Sequence, residues 1–240
     1  MESSSQHDVG NCDRTLVIMA KAPTPGLVKT RLTSRLPVQA VTAFYRCLLD
    51  DTLALARSLG SVQIAIMCPE SDVNELTELA GHGVRVAAQQ GEGLAAGLTS
   101  VFAHFTKDHP RRVIAFNSDS PHLPRSVLEG AFETLAARDV VVGPTHDGGY
   151  YLVGAKTAHP LFGGDGMGTS SALERLLSRA RVLGLSVGFA DPFYDIDVAD
   201  DLTRLAAELR LAPALAPRTA AWLKEWELVG GQSPTGAGEL

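Results

Sequence analysis

A group of basic residues follows the first apolar segment of the chain. The segment Lys21–Leu32, KAPTPGLVKTRL, comes directly after Leu16–Ala20 and carries Lys21, Lys29 and Arg31. Loops in this position after a first strand present backbone N–H groups and cations to phosphates. A lysine ammonium and an arginine fork together suit a diphosphate or a triphosphate. The loop is therefore predicted to bind the phosphates of a nucleotide.

This loop is not a Walker loop, because the pattern G-x-x-x-x-G-K-[ST] is absent. Lys29 and Arg31 are predicted to be catalytic, because they can stabilise charge that develops on phosphate oxygens. The nucleotide contacts predicted within the loop are Lys21, Ala22, Pro23, Gly26 and Lys29. The alternative is a Pro- and Gly-rich surface loop whose cations are simply solvated.

A carboxylate follows another apolar run. Val113–Asn117 reads as a buried strand that ends in Ser118 and Asp119 before Pro121. Carboxylates are suitable ligands for Mg²⁺, which usually takes one or two of them together with phosphate oxygens. Asp119 is predicted to be a catalytic metal ligand and Ser118 a nucleotide contact. The alternative is that Asp119 caps the following turn.

Two further carboxylates lie near the C-terminal end, in FYDIDVADDL. If residues 194–198 form a strand, Asp195 and Asp197 lie on one face and Ile196 on the other. Like charges about 7 Å apart repel unless a positive group lies beside them, so the pair is predicted to hold a divalent metal with Asp119. Asp200 and Asp201 suit the first turn of a helix and are interpreted as structural.

Two glycine-containing segments complete the candidate site. The segment GPTHDGGYYLVG, residues 143–154, allows close backbone approach to a ligand, and QQGEG, residues 89–93, could reach a nucleobase. A β-turn explains the first equally well, and a strand-to-helix connection explains the second. The predicted substrate contacts are His146, Asp147, Gly148, Gly149 and Tyr150, and the predicted nucleobase contacts are Gln90 and Gly91.

The elements that must position these residues alternate along the chain. Strands are predicted at 16–20, 62–67, 84–88, 113–117, 140–143 and 150–154. Helices are predicted from Pro37 through Thr52 and at 94–105, 125–137, 170–181, 199–209 and 217–227. This alternation indicates an α/β fold with a mixed, mostly parallel sheet flanked by helices. Ligands of such sheets bind beyond the carboxyl ends of the strands, so the candidate loops should converge there.

Composition limits the possible classes of function. The net charge of −6 disfavours a nucleic-acid-binding surface, and the three cysteines show no metal-binding or disulfide spacing. No apolar run is long enough to span a bilayer, and the polar N-terminus lacks the apolar core of a signal peptide. We therefore expect a cytoplasmic protein with a disordered leader (1–13), one nucleotide-binding domain (14–228) and a disordered tail (229–240).

The order of these motifs resembles a bacterial glycosyltransferase-A-like family within the nucleotide-diphospho-sugar transferase superfamily. The shared motifs, from Thr15 to Leu209, are K-A-P-x-P-G-x-x-K-T-R-L, Q-x-G, S-D-S-P-x-L, G-P-x-x-D-G-G-Y-Y-L-x-G and D-x-D-x-x-x-D-L. The layout is also similar to the phospholactate guanylyltransferases. The resemblance implies a single GT-A (Rossmann-like) domain that uses Mg²⁺ or Mn²⁺. It matches Asp119, Asp195 and Asp197 to metal-binding positions, and Lys29 and Arg31 to the phosphate-binding loop.

Three functions are consistent with these residues. The favoured one is nucleotidyl transfer from a nucleoside triphosphate to a small phosphorylated acceptor, because cations crowd the first loop. The second is glycosyl transfer from a nucleotide sugar, in which His146, Asp147 or another acidic residue would have to serve as the base. The third is a nucleotide-binding protein without catalytic activity. The helix at 217–227, with Trp222 and Trp226, could cover the protein's own core or the interface of a homodimer.

Overall fold

The computed structural model of this chain describes residues 13–163 and 171–230. The predicted leader, apart from Asp13, lies outside the described residues. So does the predicted tail from residue 231 onwards.

Seven strands form one sheet in the order β3-β2-β1-β4-β6-β5-β7. The strands are β1 (Arg14–Met19), β2 (Gln63–Cys68), β3 (Val84–Ala88), β4 (Arg112–Asn117), β5 (Val140–Pro144), β6 (Tyr150–Ala155) and β7 (Val187–Phe189). β1 pairs in parallel with both β2 and β4, whereas β6 runs antiparallel to β4 and to β5. The carboxyl ends of β1, β2, β4 and β5 therefore share one edge, and the turn from β5 into β6 lies at that same edge.

Helices cover both faces of the sheet. They are α1 (Val38–Ser58), α2 (Val73–Ala80), α3 (Gly93–Phe105), α4 (Arg125–Ala137), α5 (Ala172–Val182), α6 (Ala199–Leu211) and α7 (Pro217–Gly230). Alternate side chains of β1 separate the two layers: Leu16 and Ile18 pack with α1, α2 and α4, and Val17 packs with α3 and α5. This alternation is the two-residue period of a strand buried on both faces. The predicted α/β fold with a mixed, mostly parallel sheet is confirmed.

A third apolar cluster lies outside these layers, where α6 and α7 pack on the outer side of α1. Trp222 of α7 lies 4.9 Å from Phe44 of α1, measured between ring centroids, and stacks on Trp226 at 5.5 Å. The helix that carries both tryptophans therefore covers a core of its own chain. It ends at Gly230, two residues beyond the predicted end of the domain.

Four elements differ from the sequence prediction, one of them α1, which continues to Ser58, six residues beyond Thr52. The strands β1 to β6 begin and end within two residues of their predicted limits, but β7 and α2 were not predicted. Residues 194–198 were predicted to form a strand and do not, although Phe193 forms an isolated bridge with Thr145. The alternating burial of this segment comes from Tyr194 and Ile196, which enter the core around α6 rather than a sheet.

No helix in the described ranges, including the 21-residue α1, has both the length and the apolar character needed to cross a membrane.

Candidate active site

A cavity of about 930 Å³ opens at the carboxyl edge of the sheet. Its lining comes from the loop after β1, the ends of β2 and β4, and the connection between β3 and α3. The lining residues used below are Lys21, Leu27, Lys29, Arg31, Tyr45, Ser118, Asp119 and Asp197, with Gln89, Gly91, Glu92, Gly93 and Leu94 at the other end. Met19 and Asp197, which are 178 residues apart in sequence, therefore line one pocket, as the rule that ligands bind beyond the strand ends predicts.

The ammonium group of Lys29 lies between two carboxylates on the floor of this cavity. Its Nζ is 3.0 Å from Oδ2 of Asp119 and 2.8 Å from Oδ1 of Asp197, and its side chain is only 5% exposed. Burial lowers the pKa of Lys29, but the two carboxylates outweigh this effect and raise it above the ordinary value of 10.5. Lys29 is therefore held as a cation between the two predicted metal ligands.

Arg31 and Asp195 lie around this group. Nη1 of the exposed Arg31 is 3.5 Å from Oδ2 of Asp197. Burial, together with the charges of Asp197 and Asp119, raises the pKa of Asp195 to about 6, although Lys29 opposes this shift. Nζ of Lys29 thus bridges two carboxylates and Arg31 lies beside one of them, whereas Asp195 does not line the cavity and interacts with the group through its charge.

Two hydrogen bonds hold the acidic segments beside each other. The backbone N–H of Ile196 donates to the carbonyl of Asp119 at 3.2 Å, and the hydroxyl of Ser120 donates to the carbonyl of Tyr194 at 2.9 Å. Ser120, Tyr194 and Ile196 are buried, so these bonds are shielded from water. They position the residues after β4 against the segment that precedes α6.

The arrangement fits a divalent ion that is held only partly by protein. Within the described residues, no group of three or more His, Cys, Asp or Glu side chains is arranged to hold a metal. The predicted set of Asp119, Asp195 and Asp197 is therefore not preassembled, because Lys29 stands between two of its members. Mg²⁺ needs only one or two carboxylates and completes its shell with water and phosphate oxygens. The hard oxygens of Asp119 and Asp197, which already share one cation, meet that requirement.

The hydroxyl of Tyr45, on α1, holds the start of the loop after β1. This hydroxyl accepts from the backbone N–H of Lys21 and donates to the carbonyl of the same residue, both at 3.1 Å, and lies 3.3 Å from Oγ of Ser118. Burial raises the pKa of Tyr45 to about 12, so this hydroxyl stays protonated. One side chain thus links the basic loop to the turn that carries Asp119.

Replacing Tyr45 with Phe should loosen both segments while preserving the packed ring. We expect nucleotide affinity to fall roughly tenfold, since two or three buried hydrogen bonds of about 0.5–1.5 kcal/mol each are lost. Isothermal titration of nucleotide in the presence of Mg²⁺ measures the change. Tyr194→Phe is the matched control, because its hydroxyl donates to the partly exposed carboxylate of Glu208 and Tyr194 does not line the cavity. Equal losses in both variants would contradict a specific role for Tyr45.

Three other residues of the basic loop do not line the cavity. The backbone N–H of Ala22 donates to Oδ2 of Asp72 at 2.8 Å, so it is already engaged, and Pro23 is buried. Gly26, with φ of 77°, forms a turn closed by the bond from the N–H of Leu27 to the carbonyl of Thr24. In this structure these residues shape the loop, whereas Lys21 and Lys29 face the pocket.

The opposite end of the cavity is formed by Gln89 and Gly91, not by Gln90. The amide of Gln89 donates to the carbonyl of Gly91 at 2.9 Å, whereas Gln90 is exposed and its backbone N–H donates to Ser100. A Cβ added at Gly97 of α3 would lie 2.7 Å from Oε1 of Gln89. The absence of a side chain at Gly97 therefore lets α3 approach this wall closely.

The glycine-rich turn between β5 and β6 lies beside the cavity rather than in its lining. None of the predicted substrate contacts His146, Asp147, Gly148, Gly149 and Tyr150 lines the pocket. Hydrogen bonds from the Thr145 hydroxyl and from the N–H of Gly149 hold the carboxylate of Asp147 and lower its pKa, with a smaller contribution from Arg31. Arg31 therefore connects the turn electrostatically to the site.

His122 anchors the turn after β4 in an aromatic cluster. Its ring lies 4.8 Å from Phe193 and 4.9 Å from Tyr194, measured between centroids, and is 2% exposed. Neither ring nitrogen has a hydrogen-bond partner among the described residues. Burial therefore lowers the pKa of His122 from 6.5 to about 4, although Glu208, 3.5 Å away, opposes the shift.

Because the folded pKa of His122 is the lower one, the unfolded chain binds a proton that the folded chain excludes. The stability contributed by the neutral ring is present above pH 6.5 and is lost as the pH falls towards 4. His122→Phe keeps an aromatic ring but cannot bind a proton. Between pH 7 and pH 5, we expect the free energy of unfolding of the wild type to fall by about 2 kcal/mol more than that of His122→Phe. Urea unfolding at both pH values measures this, and equal losses would show that His122 does not titrate in this range.

Comparison with known proteins places this geometry in context. Residues 52–169 match the family described as an uncharacterized protein conserved in bacteria, DUF2064. The matched segment spans 118 of the 240 residues, just under half of the chain. It includes Asp119, Gln89 and the turn between β5 and β6, while the basic loop and Asp197 lie outside the matched region. No curated protein matches the chain.

The fold is that of the nucleotide-diphospho-sugar transferases. A candidate nucleotide-diphospho-sugar transferase from Desulfovibrio desulfuricans G20 is 26% identical, with a TM-score of 0.82, and the alignment covers 90% of this chain and 96% of that one. The 4-diphosphocytidyl-2C-methyl-D-erythritol synthase of Anaerococcus prevotii DSM 20548 has a TM-score of 0.55 at 11% identity, over 82% and 97% of the two chains.

A homologue of Mycobacterium tuberculosis Rv0371c, from Mycobacterium sp. strain JC1, has a TM-score of 0.52 at 20% identity, over 83% and 98% of the chains. The second and third structures share only the fold with this chain. The resemblance predicted from the sequence motifs is confirmed.

Proposed function

We propose that this protein is a metal-dependent nucleotidyltransferase that transfers a nucleotide from a nucleoside triphosphate to a small phosphorylated acceptor. The observation that carries the proposal is the position of Lys29, buried between Asp119 and Asp197 on the floor of a large cavity that Lys21 and Arg31 also line. Similarity to a candidate nucleotide-diphospho-sugar transferase, at 26% identity, supports the broader class of transferase.

In this reaction an oxygen of the acceptor's phosphate forms a bond to the α-phosphorus. The bond from that phosphorus to the α–β bridging oxygen breaks, and pyrophosphate leaves. Negative charge then develops on the α-phosphate and on pyrophosphate, where Lys21, Lys29 and Arg31 can stabilise it. No nucleophile from the protein is required, because orientation and electrostatics supply the rate enhancement.

Asp119 and Asp197 are the residues that would hold Mg²⁺ or Mn²⁺. When bound, the divalent ion supplies positive charge to the phosphate oxygens. Asp195 adds a third negative group to this part of the site, and Arg31 balances the charge of Asp197 from the exposed side.

Glycosyl transfer from a nucleotide sugar is the second candidate, and the name of the Desulfovibrio protein favours it. It requires a base for the acceptor hydroxyl. His146 and Asp147 are exposed and do not line the cavity, and the hydrogen bond from Thr145 lowers the pKa of Asp147, which makes that carboxylate a weak base. Neither residue therefore meets that requirement in this structure.

The test combines each nucleoside triphosphate and Mg²⁺ or Mn²⁺ with a panel of sugar phosphates and phosphorylated carboxylic acids. Release of pyrophosphate that depends on the acceptor is the expected result. Release of a nucleoside diphosphate from a nucleotide sugar, without pyrophosphate, would establish glycosyl transfer instead. If neither class of nucleotide raises the melting temperature in the presence of metal, both transferase proposals fail. A cytoplasmic location and a homodimer stay predictions from the sequence.

A further inference from the structure

Lys29 occupies the position from which one cation contacts two carboxylates. Asp119 follows β4 and Asp197 precedes α6, and Nζ of Lys29 contacts both carboxylates, at 3.0 and 2.8 Å. A divalent cation that used an oxygen from each residue would need the same space. The ammonium and the metal therefore compete for one pair of carboxylates.

The backbone of Lys29 is built around this contact. Its φ of 47° and ψ of 39° lie in the left-handed region, which residues with a side chain rarely adopt. The residue stands directly before the short 3₁₀ helix Thr30–Ser34 and directs a nearly fully buried side chain to the floor of the cavity. A strained conformation of this kind persists where surrounding contacts compensate for it, and these often occur at ligand sites.

We propose that Lys29 is an exchangeable counter-ion: it neutralises Asp119 and Asp197 in the free protein and moves to the phosphates when metal and polyphosphate bind together. This inference rests on the proposed function, because it assumes that the cavity receives a polyphosphate. The ammonium of Lys29 keeps the two carboxylates close together. It gains an alternative anionic partner only when the polyphosphate is present.

The exchange predicts positive coupling between the two ligands. Without polyphosphate, a metal ion must displace a buried ammonium from both of its ion-pair partners, so metal alone binds weakly. With polyphosphate bound, the displaced ammonium finds a new partner, and that obstacle is removed. Coupling of this kind is reciprocal, so metal must improve polyphosphate binding by the same factor.

The experiment measures binding of Mn²⁺ alone to the full-length protein, through the loss of the electron paramagnetic resonance signal of free Mn²⁺. Lys29→Met removes the competing ammonium but keeps most of the volume of the side chain. We expect Lys29→Met to bind Mn²⁺ at least about tenfold more tightly than the wild type, since hydrogen bonds between charged groups no longer oppose the metal.

Two further variants separate competition from the general effect of charge. Lys21→Met removes the same charge from the same cavity, but the Lys21 side chain is exposed. Solvent and salt screen that charge, so we expect its effect to be about threefold or less. Lys29→Gly repeats the test with a residue that accepts positive φ readily, so the test can still be made if the methionine variant misfolds.

A thermal-shift measurement tests the coupling itself, with inorganic tripolyphosphate as a probe that does not depend on the nucleobase. The wild type should respond to Mn²⁺ only together with tripolyphosphate, whereas Lys29→Met and Lys29→Gly should respond to Mn²⁺ alone. Unchanged or weaker Mn²⁺ binding in both Lys29 variants, or an equal gain in Lys21→Met, would overturn the proposal. These outcomes are independent of pyrophosphate release, so failure of the exchange is distinguishable from failure of the proposed activity.

Discussion

Asp119→Asn should abolish the metal-dependent binding of nucleotide. Asparagine has nearly the same shape, and the backbone bond from Ile196 to the carbonyl of residue 119 does not involve the side chain. The change removes one of the two negative groups that Lys29 bridges, and it replaces a carboxylate ligand with a neutral amide. Loss of even an outer partner of a metal site costs 10–100-fold in affinity, so we expect a loss on the order of 100-fold or more for nucleotide in the presence of Mg²⁺.

Titration of each nucleoside triphosphate with and without Mg²⁺ measures this effect. Asp200→Asn is the matched control, because Asp200 is an exposed carboxylate in the first turn of α6, outside the cavity lining. It should leave metal-dependent binding within about twofold of wild type, as expected for a screened surface charge. If Asp119→Asn retains the metal-dependent component, the metal site is wrongly assigned, even if nucleotide still binds to the basic loop.

The sequence alone placed most of this site because it lies at strand ends. β1 and β4 are continuous apolar runs, and each is followed at once by the residues that line the pocket. Two short-range signals, an apolar run and a break, therefore sufficed to bring Lys29 and Asp119 to one edge of the sheet. The same rule correctly brought the turn between β5 and β6 to that edge. β5 runs in the same direction as β4, so its carboxyl end lies at this edge, where the turn leads into the antiparallel β6.

The remaining features depend on contacts that have no local pattern. The repulsion between Asp195 and Asp197 predicted a positive neighbour, but nothing in residues 193–202 identifies it as Lys29, which is 168 positions from Asp197. The choice between Gln89 and Gln90 depends on which amide faces α3, where Gly97 leaves room for it. β7 has only three residues and is partly exposed, so its pattern is too short to distinguish from a loop.

Stability should depend strongly on Asp51, a buried carboxylate of α1 that the sequence analysis did not single out. Its Oδ2 accepts from the backbone N–H and from the hydroxyl of Thr219, both at 2.8 Å, and its Oδ1 accepts from the N–H of Arg218 at 3.2 Å. These N–H groups lie in the first turn of α7, where backbone N–H groups have no acceptor within their own helix. Asp51 thus acts as an N-cap supplied by a different helix.

Asp51→Ala should lower the free energy of unfolding by about 3 kcal/mol, because it removes a cap and leaves buried donors unpaired. Asp50→Ala is the control: Asp50 carries the same charge on the same helix, and its carboxylate lies 3.6 Å from the exposed guanidinium of Arg218. Solvent screens an ion pair with one exposed partner, so this pair should be worth roughly 0–1 kcal/mol. Urea unfolding followed by circular dichroism gives both values.

Tryptophan fluorescence adds a local measurement, because the two tryptophans of the chain, Trp222 and Trp226, both lie in α7. If Asp51 fixes α7 to α1, the fluorescence transition of Asp51→Ala should come at lower urea than the transition seen by circular dichroism. Nucleotide binding below that first transition should stay near wild type, since the hydroxyl of Tyr45 is held by hydrogen bonds to the backbone of Lys21 rather than to α7. Equal destabilisation by Asp50→Ala and Asp51→Ala would mean that charge, rather than capping, joins α7 to the domain.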